Sequence, residues 1–250
     1  MKKLLGFGLV VLGIMGLAGC NVSSENIVVL TSSGYEPYEM IDENGNLIGF
    51  DIDLMEAIAA ELGWTLEWKD VDFDGILASL QTGQADLAIA GISPTSQRAL
   101  TVDFSNVYYS SIDGLQNFLV TNNPAIQGLE DLAGKVIGTQ LGTIQQEMME
   151  ALADEFGFTV VTRTQNAQII EEIRNGLVDA LVVENLVADS IIAANPEFNK
   201  ALVEQDLDDI YGSAIAFPKG SVNVSLVNEA LQTLKDNGTL AELIAKWFNE

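Results

Sequence analysis

One pattern occurs twice in this chain and restricts its fold more than any other feature. Leu80-Gln81-Thr82-Gly83-Gln84-Ala85-Asp86-Leu87-Ala88-Ile89-Ala90 ends a helix, turns on glycine and enters an apolar strand through aspartate. Ile173-Arg174-Asn175-Gly176-Leu177-Val178-Asp179-Ala180-Leu181-Val182-Val183 does the same late in the second half. A Gly-x-x-Asp link before a strand is common, so this match alone leaves coincidence open. It gains weight from the start of each half. Lys135 to Thr139 opens the second as Ile27 to Thr31 opens the first: an apolar strand, a turn containing glycine, then a helix. Strands alternating with helices imply two α/β halves, each with a largely parallel sheet.

The remaining segments fit that frame. Glu39 to Phe50 reads as a hairpin around Glu43-Asn44-Gly45-Asn46. Asp51 reads as the cap of a helix with Leu54, Ile58 and Leu62 on one face and Gly63 as its stop. Trp64 to Lys69 reads as a strand, Asp74 to Gln81 as a helix and Leu87 to Ala90 as a strand. Tyr108 to Thr121 and Tyr211 to Phe217 are extended stretches that connect the halves. Val222 to Glu250 is helical, with Leu226, Ala230 and Leu234 and then Leu240, Leu243 and Trp247 on apolar faces, and returns to the first half. The expected division is a first lobe of residues 27–112 and 213–250 and a second of residues 113–212. Two crossings form a hinge that can close without scrambling either lobe.

Composition enters by exclusion. The formal charge of −25 repels phosphate backbones, so no nucleic-acid partner is expected. There is no histidine, and Cys20 is the one cysteine, so neither a metal site nor a cysteine nucleophile is expected, and no cofactor. Cys20 belongs to the N-terminal segment. Met1-Lys2-Lys3 is a short basic start, Leu4 to Leu17 an apolar run, and Leu17-Ala18-Gly19-Cys20 resembles the lipobox of bacterial lipoproteins. The expectation is a signal peptide over 1–19, lipid on Cys20 and a polar tether over 20–26; a retained membrane anchor is the alternative. That places the folded part outside the cytoplasm, on the cell surface or in the periplasm, as a monomer held to the membrane by lipid alone.

Ligands of open α/β sheets bind beyond the C-terminal strand ends. Here those ends are Ser32 to Tyr35, Gly91 to Arg98, Gln140 to Gln145 and Glu184, and facing halves would bring them to one cleft. Arg98, one of three arginines, can grip a carboxylate through two parallel hydrogen bonds; an ion pair with Asp103 is the competing reading. Ser93 and Thr143 fall at expected helix starts, where free N–H groups and a hydroxyl suit an anion or simply cap the helix. Glu184 can hold an ammonium or serve as an N-terminal helix acid. Tyr35 and Phe73 can sandwich a flat ligand group or belong to the core.

Gly34-Tyr35-Glu36-Pro37-Tyr38-Glu39 and Leu47-Ile48-Gly49-Phe50-Asp51-Ile52-Asp53-Leu54 resemble the opening of the family 3 solute-binding proteins, polar amino acid receptors of ABC importers. The resemblance continues through Asp72-Phe73-Asp74-Gly75, Gly83-Gln84-Ala85-Asp86, the stretch from Gly91 to Arg98, Val102-Asp103-Phe104-Ser105, the stretch from Gly134 to Thr143, and Lys246-Trp247-Phe248. It implies a two-lobed, type II periplasmic-binding-protein-like α/β fold that delivers a polar amino acid to an ABC permease and its ATPase. It also implies that Arg98 takes the ligand α-carboxylate and that Gly91, Ser93 and Thr143 contact the ligand. Tyr35 and Phe73 become aromatic walls, and Glu184 takes the α-ammonium. Three residues depart from the pattern. Glu184 stands where aspartate is more usual, Ile144 where a second threonine is common, and Ser32 where several receptors for basic amino acids carry aspartate.

Ser32 argues against a compact ammonium, which needs a buried counter-charge. Glu36, Asp72 and Asp74 beside the aromatics favour a planar cation, so arginine ranks first and glutamine-like ligands second. Two other functions share the fold: a dehydratase acting on prephenate-like acids, with Glu36 or Glu184 as proton donor, and a sensing module for a separate membrane partner.

Overall fold

A computed structural model describes residues 25–110, 116–204 and 212–248. Cys20 and the rest of the N-terminal segment lie outside the described residues. In chain order the elements are β1 (Asn26–Thr31), β2 (Met40–Ile41), β3 (Leu47–Ile48), α1 (Phe50–Leu62), β4 (Thr65–Asp70), α2 (Ile76–Gln81), β5 (Leu87–Ala88) and β6 (Val102–Phe104). Then come β7 (Asn117–Thr121), β8 (Val136–Gln140), α3 (Ile144–Phe156), β9 (Thr159–Arg163), α4 (Asn166–Arg174), β10 (Ala180–Glu184), α5 (Asn185–Ala194) and β11 (Asn199–Val203). The chain ends through β12 (Ala216–Pro218), α6 (Asn223–Asp236) and α7 (Thr239–Phe248).

Two five-stranded sheets result, ordered β4-β1-β5-β12-β6 and β11-β7-β10-β8-β9. Read in matching directions they share a plan. In each, a central strand pairs parallel with two others (β1 with β4 and β5; β8 with β9 and β10), and an antiparallel pair completes the edge. The fold is therefore a two-lobed α/β architecture of mixed sheets flanked by helices.

The repeated sequence pattern has a physical cause. Asp86 accepts a hydrogen bond from Val28 N at 2.8 Å and donates its own N–H to Val28 O at 3.0 Å. Asp179 accepts from Val136 N at 2.8 Å and donates to Val136 O at 2.8 Å. Each aspartate thus fastens the entry of one strand to the start of its parallel neighbour. Gly83 (φ 70°) and Gly176 (φ 69°) turn the chain out of the preceding helix just before it.

Three local expectations are corrected. Asp51 does not cap α1: Gly49 is the N-cap, and Asp51, in the first turn, is fully buried. The segment from Phe73 to Gly75 is a 3-10 turn, and α2 begins only at Ile76. Leu226 is 40% exposed; the inner face of α6 is Val227, Ala230, Leu231 and Leu234.

The two crossings run side by side. Tyr108 N donates to Ser213 O at 3.0 Å and Ser213 N to Tyr109 O at 2.9 Å. Their approach needs glycine: a Cβ at Gly212 (φ 126°) would sit 2.1 Å from Tyr109 O. The C-terminus returns to the first sheet's side. Lys246 Nζ and Trp247 Nε1 both donate to Asp53 Oδ2, at 2.6 and 2.7 Å. Phe248 packs against Phe50, Tyr109 and Tyr38, with ring centroids 4.4, 4.5 and 5.1 Å away. This aromatic cluster backs the floor of the cleft between the lobes. Among the described residues no helix is long and apolar enough to cross a membrane.

Candidate functional site

The C-terminal ends of β1, β5, β8 and β10 meet in one cavity. Its lining includes Tyr35, Phe73, Gly91, Ser93, Arg98, Thr143 and Glu184, the seven residues singled out from sequence. Ser32, Glu39, Ala90, Gln140, Ile144 and Gln145 complete it.

Arg98 opens a short 3-10 turn (Arg98–Leu100). Its Nη1 donates to Ser93 O and its Nη2 to Gly142 O, each at 3.0 Å, so one side chain spans both lobes. The guanidinium lies 5.5 Å from the Phe73 ring centroid, which fixes its plane. The competing ion pair is absent: Asp103 instead takes Lys219 Nζ at 2.8 Å and Gly220 N at 2.6 Å. Among the described residues no carboxylate lies within ion-pairing distance of Arg98. Burial draws its pKa down, and the nearby Glu147 opposes the shift.

Ser93 is not at a helix start; extended residues and a turn follow it before Arg98. Thr143 is the N-cap of α3, accepting from Gln146 N at 3.2 Å and donating to Gln140 O at 2.7 Å. Its hydroxyl is therefore committed to the helix. Gly91 (φ 55°) lets the turn after β5 approach Tyr35, whose ring a Cβ there would meet at 3.2 Å. Tyr35 stacks on Tyr38 at 5.7 Å.

Glu184 ends β10, 4% exposed, with Oε1 buried and without a partner. Burial pushes its carboxyl up to about 7, against the Tyr38 hydroxyl that bonds the ionised form. Glu39 was missed in the sequence reading. It lines the cavity, is fully buried, and shares a side-chain hydrogen bond with the carboxyl of Asp51. Burial, followed by repulsion from Asp51, holds its carboxyl well above the usual carboxylate range. Asp51 lies behind, its Oδ2 accepting from Gly91 N at 2.7 Å and Tyr108 Oη at 2.9 Å. Burial raises Asp51 to about 7, and those two donors oppose the shift. The signal for Glu39 was present in the sequence: it sits next to Tyr38, two residues past Pro37, in the quoted motif, but hairpin periodicity gave it no face.

The acids that were expected beside the aromatics do not line the cavity. Asp72 accepts from Gln165 Nε2 across the cleft at 3.0 Å, Asp74 is exposed, and Glu36 faces a separate cavity near α4 and α5. Among the described residues no group of acidic, histidine or cysteine side chains has the arrangement of a metal site.

A family model for bacterial extracellular solute-binding proteins, family 3, matches residues 27–250. The chain belongs to that family. It is 35% identical over 233 residues to the arginine-binding extracellular protein ArtP of Bacillus subtilis, covering 92% of this chain and 89% of the relative. Among solved structures it resembles an ancestral arginine-binding protein bound to arginine (36% identity, TM-score 0.81, 89% of this chain and 98% of that one). An ancestral arginine-binding protein bound to glutamine matches similarly (36% identity, TM-score 0.82, 90% and 98%). The family is one of solute binders and not of enzymes, and its placement is extracytoplasmic.

Proposed function

We propose that this protein captures an amino acid with a cationic side chain, arginine first, and delivers it to an ABC import permease while lipid on Cys20 holds it at the membrane. The observation that carries the reading is the charge layout of the cavity. Arg98, without a carboxylate partner, and two buried acids, Glu184 and Glu39, line the same cavity. Arg98 takes the ligand carboxylate, with Gly91 and Ser93 beside it and Thr143 setting the first turn of α3 opposite. Glu184 takes the α-ammonium. Glu39 supplies the counter-charge that Ser32 does not, and Tyr35 and Phe73 wall a planar guanidinium. The proposed lobes are residues 27–112 with 213–250, and 113–212.

A neutral amide ligand is the second reading. A protonated Glu39 can donate a hydrogen bond to an amide oxygen, and the similar ancestral protein bound to glutamine supports it. Calorimetric titration with arginine, lysine, histidine and glutamine tests the assignment. The cationic reading requires arginine to bind tighter than glutamine; glutamine binding ten-fold tighter overturns it. Incubation with prephenate should give no turnover.

A further inference from the structure

The cleft floor holds more acid than a zwitterion needs. Glu39, Asp51 and Glu184 are all buried, at 0%, 0% and 4% exposure, and act on one another. The groups that face them are tyrosines and acids. Tyr35, Tyr38 and Glu36 come from the loop that carries Glu39 and Tyr108 from the first crossing, while Arg98 acts on Tyr35 and, away from the acids, on Glu147. Arg98 lines the same cavity, but among the described residues no lysine or arginine forms an ion pair with Glu39, Asp51 or Glu184. Three ionised carboxylates cannot share a dry cavity with no ion-paired cation. An isolated buried charge costs several kcal/mol even after relaxation, and the group neutralises instead.

We infer that the cavity exchanges protons for ligand cation: Glu39 and Glu184 carry protons in the ligand-free protein and release them as the cationic groups of the ligand enter. The inference rests on the cationic-ligand reading above. In each step a carboxyl O–H bond breaks, the proton passes to solvent buffer, and the carboxylate pairs with ammonium or guanidinium. Glu39 and Glu184 both line the cavity, and the hydrogen bond Glu39 shares with Asp51 needs a proton that an entering cation would displace. Asp51 is the positioning acid: with Gly91 N and Tyr108 Oη already bonded to it, it keeps charge behind Glu39 and so favours the proton there. Burial-raised carboxyls at Glu39 and Glu184 agree with that arrangement.

The sign follows from linkage. A site that loses protons on binding gains affinity as pH rises, by up to about ten-fold per pH unit for each proton released. Titration of the lipid-free mature chain with arginine at pH 7, in phosphate and in imidazole buffer, reads the proton count from the difference in heat. Between about one and two protons released per arginine are expected, with fewer for glutamine and fewer for Glu39→Gln. Arginine affinity should rise from pH 5.5 to 7.5. Equal heats in both buffers with arginine bound overturn the exchange alone. A protein that ignores arginine and binds glutamine overturns both the exchange and the ligand reading. The wild-type buffer comparison stands even if Glu39→Gln fails to fold.

Discussion

Replacing Arg98 by alanine tests the site most directly. The guanidinium makes two hydrogen bonds to carbonyl oxygens, Ser93 O and Gly142 O, and packs on Phe73; its charge meets no carboxylate. A ligand carboxylate arriving there would form charge-assisted bonds in a site shielded by both lobes. Losing them strands the anion and costs about 2–5 kcal/mol, or about 30-fold to 4,000-fold in Kd. The fold should stay intact. Asp103, the one proposed structural partner, is held by Lys219 and Gly220, so truncation leaves no buried carboxylate orphaned. Two guanidinium–carbonyl bonds at about 1.5 kcal/mol each put the stability loss at about 3 kcal/mol, less than a folded domain's whole stability. Calorimetry gives the affinity and urea unfolding the stability. Arg98→Lys should recover only part of the binding, because a point charge cannot match the two-pronged geometry. An alanine variant that binds within three-fold of wild type would refute the clamp.

Other expectations follow from the same contacts. Asp86→Ala and Asp179→Ala should each cost about 1–3 kcal/mol in urea unfolding by leaving a strand-end N–H unpaired; a loss below 0.5 kcal/mol for both, roughly the size of a neutral surface change, would sink the shared-latch account. Gly91→Ala should cost about 1–2 kcal/mol from its left-handed backbone and weaken binding by displacing Tyr35; urea unfolding reads the first and calorimetric titration the second, and unchanged affinity would contradict the Tyr35 contact. Acidification should stabilise the ligand-free protein. The buried acids bind more protons folded than unfolded between the ordinary carboxylate range and about pH 7, so stability falls as pH rises through that window. Melting temperature should therefore climb from pH 7.5 to pH 5, and a flat profile would contradict the buried-acid assignment. Labelled fatty acid should be incorporated by wild type and lost in Cys20→Ser; equal labelling would remove the anchor.

Much of the architecture was legible because it follows from local rules. Period, glycine turns and the two Gly-x-x-Asp links place strands and helices, and parallel strand ends place a cleft. Arg98 and Glu184 could be named because each follows an apolar strand that must end at that cleft. Thr143 was legible too, although the structure commits its hydroxyl to capping α3. Local rules failed where a side chain's partner lies far along the chain. Asp51 has the sequence context of a helix cap, but its partners Gly91 and Tyr108 are 40 and 57 positions away. Spacing made Asp103 the natural mate of Arg98, yet Lys219 claims it from 116 positions away. Glu36, Asp72 and Asp74 neighbour the aromatics in sequence only; Glu39 reaches the cavity because the hairpin packs beneath the cleft, against Tyr38 and α1. The sequence by itself thus determined the elements, their repetition and the strand ends from which a site can be built. Tertiary structure alone decided which acids are dry, because desolvation depends on what covers a group from every side, and those neighbours are remote in sequence.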